Sequence, residues 1–212
     1  MAARHERRDA ARRLVEAYAL AAVERWAAAE PAAWATLQRV LYDPEPLLRW
    51  RAAEALGRVA AVRAREDVGA VRDLCRRTLW LMSDESGGVL WLGPQVLGAT
   101  LAGVPALCGE LLPVLASFLE KEPFRAGTRW ALWRVALARP LAVADTAADA
   151  LAASLADPDP DVRGHAALAH ATATDPAVAC ALADDPAPLV VFDPVSGRFR
   201  ATTVGAAAAG AP

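Results

Sequence analysis

Residues 43–59 read DPEPLLRWRAAEALGRV. Pro44 and Pro46 flank a glutamate just after Asp43, and the next helix breaker is Gly57. Proline stops an incoming helix because it has no amide proton to donate, yet it fits the first turn of an outgoing helix. The stretch therefore predicts a helix, a tight turn and a second helix. From Leu48 to Gly57 the order is apolar, Arg, two variable positions, Ala-Ala, one variable position, Ala. VRGHAALAHA (162–171) has the same frame and follows DPDP. FRAGTRWALW (124–133) fits more loosely. VLWLGPQVLG (89–98) fits with Gly93-Pro94 in place of Ala52-Ala53. Asp43, Asp84 and Asp157 each stand five positions before a frame. The frames begin at 48, 89, 124 and 162, about 38 residues apart, which is the signature of stacked helical units.

Helical stretches are expected between the frames, over 31–42, 66–83, 106–120 and 141–156. The fold expected is all-α: a short right-handed α-solenoid of stacked antiparallel helix pairs. The units run 31–62, 63–103, 104–139 and 140–173, with a partial one at 174–186. A unit of this size cannot bury its apolar face alone, so neighbours must stack. Residues 1–30 cap the array, with one amphipathic helix over 5–29 burying Leu14, Val15, Tyr18, Ala22 and Trp26. LVVFDPVSGRFRATTV (189–204) alternates apolar and polar residues around a turn, so a β-hairpin or extended tail is expected over 187–205. Residues 206–212 read as a disordered end.

Composition agrees with this. The chain has 212 residues, 55% of them apolar, and alanine, the best helix former, supplies much of that fraction. A formal charge of −2 gives no global field for nucleic acid or an acidic membrane. Cys75, Cys108 and Cys180 are scattered, which fits buried thiols in a reducing cytoplasm better than a disulfide framework or a zinc site. From Ser86 to Gly109 no residue is charged, but the stretch is broken by Pro94, Pro105 and six glycines. Those breakers argue against a spanning helix.

DPEPLLRWRAAEALGRV and DPDPDVRGHAALAHA (157–171) resemble HEAT repeats, in particular the short PBS-lyase HEAT-like type. The resemblance covers roughly 31–185. It implies that the turn aspartate and the following arginine link neighbouring repeats: here Asp43/Arg49 and Asp157/Arg163, with Asp84 and Arg125 each matching half of the pair. Leu90 stands where the second unit would carry its arginine.

The candidate sites follow from the register. Asp84, Glu85, Ser86, Gly87 and Gly88 replace a proline turn, and two glycines there permit conformations that proline forbids. If the following helix starts near Gly88, Pro94 kinks it; if it starts near Trp91, Pro94 sits harmlessly in the first turn. Trp50 and Trp91 share one repeat column. Glu54, Gln95 and Trp130 share another, with Arg129 and Arg134 nearby. Second helices would bring these residues to one binding surface, where Trp and Arg commonly dominate. Trp80 and Trp133 are expected in the core.

No nucleophile elbow, phosphate loop or HExxH pair occurs. His165 and His170 are five apart and point about 140° away from each other on a helix. Arg4, Arg7, Arg8, Arg12 and Arg13 alternate with acids, which suits a solvated helix face. The function expected is a non-catalytic adaptor for a protein or peptide, with no metal and no cofactor. One alternative is a lyase-like handler of a tetrapyrrole or other small molecule, using the Asp84–Gly88 loop and Trp91. A nucleic-acid-binding array ranks third, and a membrane partner is disfavoured.

Overall fold

The computed structural model describes residues 2–83, 90–174 and 176–209. The fold is all-α with one small antiparallel hairpin, and it divides into two compact units, Met1–Ala106 and Leu107–Pro212.

The first unit holds α1 (Ala2–Glu16), α2 (Leu20–Ala29), α3 (Ala33–Gln38) with a 3-10 turn over Arg39–Tyr42, α4 (Pro46–Ala64), α5 (Val68–Met82) and α6 (Gly93–Gly103). The DPEP turn does what its residues dictate. An Asp43 carboxylate oxygen accepts from the Glu45 amide at 3.0 Å, and Glu45 in turn accepts from the Leu47 amide at 3.2 Å, capping α4 with Pro46 in its first turn. α4 buries residues on both sides, Leu48, Ala52, Ala53, Leu56, Val59 and Ala60 among them, because α2, α3 and α6 all pack on it. α4 and α6 approach closely at Gly57. A Cβ there would lie 2.7 Å from the carbonyl carbon and oxygen of Ala99.

The second unit holds α7 (Cys108–Ala116), α8 (Arg125–Ala136), α9 (Pro140–Ser154), α10 (Pro160–Ala173), α11 (Pro176–Ala179), β1 (Pro188–Asp193), β2 (Arg198–Thr203) and α12 (Val204–Ala208). The DPDP turn copies the first one. Asp157 accepts from the Asp159 amide, Asp159 accepts from the Asp161 amide, both at 2.9 Å, and Pro160 opens α10. In the hairpin Phe192 pairs with Phe199, and the Asp193 side chain accepts from the amide of Val195 at 2.9 Å to hold the turn. β1 packs on α10, with Leu189 seated against Gly164, where no side chain intervenes.

Three sequence expectations change. Residues 5–29 are two helices, not one: Tyr18 takes a left-handed φ of 49° and closes α1, with its ring under the Arg51 guanidinium. The buried stripe is accordingly Ala11 and Val15, then Val23 and Ala27; Tyr18, Ala22 and Trp26 are only partly covered. The C-terminal end is not frayed through residue 209. Thr203 caps α12, and Val204, Ala207 and Ala208 are buried.

The turn acids do form ion pairs, but with an offset partner. Asp43 receives Arg12, Asp157 receives Arg125, and Arg163 reaches forward to Asp185 with Nε 2.6 Å from Oδ2. Each arginine therefore pairs with an acid lying further along the chain, at the next turn. Arg12 makes the N-terminal helix the first member of the series in the first unit.

Candidate functional site

The second helices do not offer the surface expected of them. Glu54, Gln95 and Trp130, which share a repeat column, are 1%, 4% and 0% exposed. Arg129 is 1% exposed, and Arg134 and Trp50 are half-buried. Trp50, Glu54 and Gln95 belong to the first unit, and Arg129, Trp130 and Arg134 to the second.

In the second unit these residues are structural. The hairpin covers Trp130, whose indole Nε1 donates to the Phe192 carbonyl at 2.9 Å, and the two rings meet with centroids 6.1 Å apart. Arg129 donates to the carbonyls of Leu119 and Arg125, at 2.6 and 3.0 Å, and to Glu120 and Ser154, at 2.8 and 2.7 Å. Burial pushes its pKa down, and the hydrogen bond it donates to Glu120 opposes that shift. Its guanidinium is spent on joining the segment after α7 to α8 and α9. It cannot serve a ligand. His165 is likewise buried, its Nδ1 2.7 Å from the Asp161 carbonyl, and burial lowers its pKa.

The most exposed aromatics lie elsewhere. Tyr42, Trp80 and Trp91 are 58%, 64% and 68% exposed, all in the first unit. Trp80 was expected in the core; it lies on the outward side of α5, whose buried residues Val71, Cys75, Thr78 and Met82 mark the other face. Trp133 is in the core as expected. The Leu90 amide donates to the Leu81 carbonyl at 3.2 Å, which brings Trp91 to the last turn of α5, the turn that carries Trp80. The Gly93 amide donates to the Leu90 carbonyl at 2.9 Å, so α6 starts at Gly93 with Pro94 in its first turn, where it breaks nothing. Gly93 also abuts Met82 so closely that a Cβ would lie 2.3 Å from the Met82 Cγ. This contact fixes the segment carrying Trp91 against α5.

Beside this turn lies an open cleft of about 380 Å³ between α3 and α5, lined by Ala35, Gln38, Arg39, Tyr42, Arg77 and Leu81. Arg39 and Arg77 have no carboxylate partner among the described residues. The result is a face of aromatic rings and uncommitted guanidinium groups on the first-helix side of the unit. Its aromatic members could not be separated from core tryptophans by composition. The available signal was the amphipathic period of α5, which places Trp80 opposite Val71, Cys75 and Thr78.

Asp84, Glu85, Ser86, Gly87 and Gly88 lie outside the described residues. Among the described residues no group of three or more His, Cys, Asp or Glu could hold a metal ion, and no single helix is long and apolar enough to cross a membrane.

No family model matches this chain, and no curated protein matches it. A solved structure of an engineered protein is similar to it at 19% sequence identity, over 84% of this chain and 77% of that one, with a TM-score of 0.49.

Proposed function

We propose that this protein is a non-catalytic adaptor that binds a protein or peptide partner, and that it does so through the α3–α5 face of the first unit rather than through the second helices. One observation carries the reading: Tyr42, Trp80 and Trp91 stay more than half exposed in a chain that buries Trp34, Trp130 and Trp133. Three large rings left mostly in water forgo a good part of the about 1.5–3 kcal/mol that full burial of a large apolar side chain is worth, which a partner could recover. Tyr, Trp and Arg are also the residues that dominate interface energetics. The cleft beside Tyr42 gives such a partner a place to insert a side chain.

The test is hydroxyl-radical footprinting of the complex recovered from native lysate. Tyr42, Trp80 and Trp91 should be protected relative to the free protein. The variant Trp80→Ala/Trp91→Ala should keep its helical circular dichroism and lose the partner. Equal oxidation of the three rings in free and bound protein would refute this placement.

A further inference from the structure

A helix face complementary to the α3–α5 face is present in the second unit, on the outer side of α9. Val143, Ala147 and Leu151 are buried at four-residue spacing. Leu141, Asp145 and Asp149 repeat that spacing two residues out of step, about 200° around the helix, and all three are exposed. Leu141 stands 75% in water. α9 has no basic residue along its length, and neither aspartate has an ion-paired or hydrogen-bonded partner among the described residues.

The α3–α5 face has the opposite character. Ala35, Leu81 and Tyr42 give its cleft an apolar lining, and Arg39 and Arg77 border it with Gln38 and no acid. Arg77 is exposed on α5, three residues before Trp80, and Asp73, the acid one turn before it, lies 3.7 Å from Arg76. Arg39 also borders the pocket that holds Asp9 and Asp43, so Arg77 is the less opposed of the two; Asp43 itself is paired with Arg12. The sequence carries the same asymmetry. Met1–Ala106 has 15 arginines and 13 acids, whereas Leu107–Pro212 has eight basic residues and 12 acids.

An exposed leucine followed at one and two turns by aspartates suits an apolar cleft with guanidinium groups at its border. The leucine supplies the anchor, and the carboxylates supply charge-assisted hydrogen bonds. Pairing either surface with its own copy sets like charges against each other, the α9 aspartates in one case and Arg77 in the other. A twofold contact is therefore disfavoured, and a contact between unlike faces is favoured. We propose that the α3–α5 face of one copy takes α9 of a second copy, with Leu141 entering the Tyr42 cleft and Asp145 and Asp149 meeting Arg77 and Arg39. This rests on the reading of that face as an interaction surface and names its occupant. Because the two faces differ, each copy added presents both again, and the assembly grows with concentration.

Sedimentation velocity of the full chain over a concentration series, at low and high salt, is the test. The mean mass should rise with concentration at low salt, and high salt should weaken the association at least tenfold. Asp145→Arg/Asp149→Arg and Arg39→Ala/Arg77→Ala change only exposed side chains, so each should keep the parent's melting temperature and sediment as a monomer. Mixed in equal amounts, the two variants should form a species of twice the monomer mass and nothing larger, because each supplies the one face the other lacks. A parent that stays monomeric at every concentration, variants that associate as the parent does, or a mixture without the dimer would overturn the proposal. So would an assembly in which Tyr42, Trp80 and Trp91 are oxidised by hydroxyl radicals as fast as in the monomer. The same footprint separates the two readings. A monomeric parent whose rings are covered by a lysate partner removes the second copy and leaves the α3–α5 face standing. Rings covered in the assembled parent, with no other protein recovered from lysate, uphold the second copy and remove the adaptor.

Discussion

Gly57→Ala and Gly109→Ala are the same chemical change and should have opposite effects. Both glycines are helical, so alanine gains up to about 1 kcal/mol of helix propensity at either position. They differ in what the new methyl meets. At Gly109 nothing lies within 4 Å of the added Cβ. At Gly57 it would lie 2.7 Å from the Ala99 carbonyl carbon and oxygen, and 2.8 Å from the Ala99 Cβ. Two of those three atoms are backbone and cannot rotate away, so α4 and α6 must separate. Overpacking of this kind costs about 1–3 kcal/mol, and a backbone wall puts it near the upper end. After the propensity gain the net loss is about 2 kcal/mol. For a chain of this length that lowers the melting temperature by about 4–8 °C. Gly109→Ala should leave it unchanged or raise it slightly. Differential scanning calorimetry of the two variants and the parent supplies the numbers, and hydrogen exchange should place the Gly57→Ala loosening in α4 and α6. A Gly57→Ala variant as stable as the parent would mean that the helices do not approach this closely, and the packing of the first unit would have to be redrawn.

Other variants test other contacts. Trp130→Phe keeps the ring but removes the buried indole donor to the Phe192 carbonyl; it should cost about 1 kcal/mol in urea unfolding and speed amide exchange in β1, while unaltered exchange there would detach the hairpin from α8. Arg129→Met strips donors from the Leu119 carbonyl and from Ser154, so a loss of about 3 kcal/mol or more is expected; a loss below about 1 kcal/mol would show that the four bonds are not formed together. Burial lowers the His165 pKa below its ordinary 6.5, so the unfolded chain binds this proton more readily than the folded one. Its contribution to stability is therefore complete above about pH 6.5 and is lost as pH falls from there towards the folded value. Urea midpoints at pH 7.5 and 5.5 should diverge more in the parent than in His165→Leu, and parallel shifts would refute this role.

What the sequence made legible depended on how local the deciding contacts are. DPEP and DPDP specify their own geometry: each first aspartate accepts from an amide two residues on, and each proline can only open the helix that follows. The frames at 48–57 and 162–171 accordingly lie within α4 and α10, the one at 124–133 starts on the N-cap of α8, the one at 89–98 enters α6 only at Gly93, and the hairpin falls on its alternating stretch. The break at Tyr18 was not legible, because the left-handed turn is held by Arg51, a residue more than thirty positions away. The exposure of the tryptophans was illegible for the same reason. A column shared by Glu54, Gln95 and Trp130 mixes charge, amide and ring, which reads as a surface, and only the packing on both sides of the second helices shows that it is buried.

That packing also explains why the exposed rings and arginines collect where they do. α4 is in contact with α2, α3, α5 and α6, and α10 with α8, α9, β1 and α12, so a side chain on either has few directions that reach water. Polar groups buried on the second helices are satisfied internally, as the Arg129 terminal nitrogens are, or have no hydrogen-bond partner among the described residues, as with the Gln95 Oε1 and the His165 Nε2. α1, α3 and α5 pack on fewer elements and keep one face free. In the first unit that free face holds Arg4, Arg8, Arg39, Tyr42, Arg77 and Trp80. Among the described residues, the charge of its neighbouring arginines Arg7 and Arg12 is answered by Glu30 and by Asp43 and Glu16. These ion pairs consume Arg12 and Arg7 and leave the neighbouring arginines one helical turn away, Arg8 and Arg4, without partners among the described residues. Those unmatched positions, rather than the excess of arginine itself, set the charge of this face apart from the rest of the first unit.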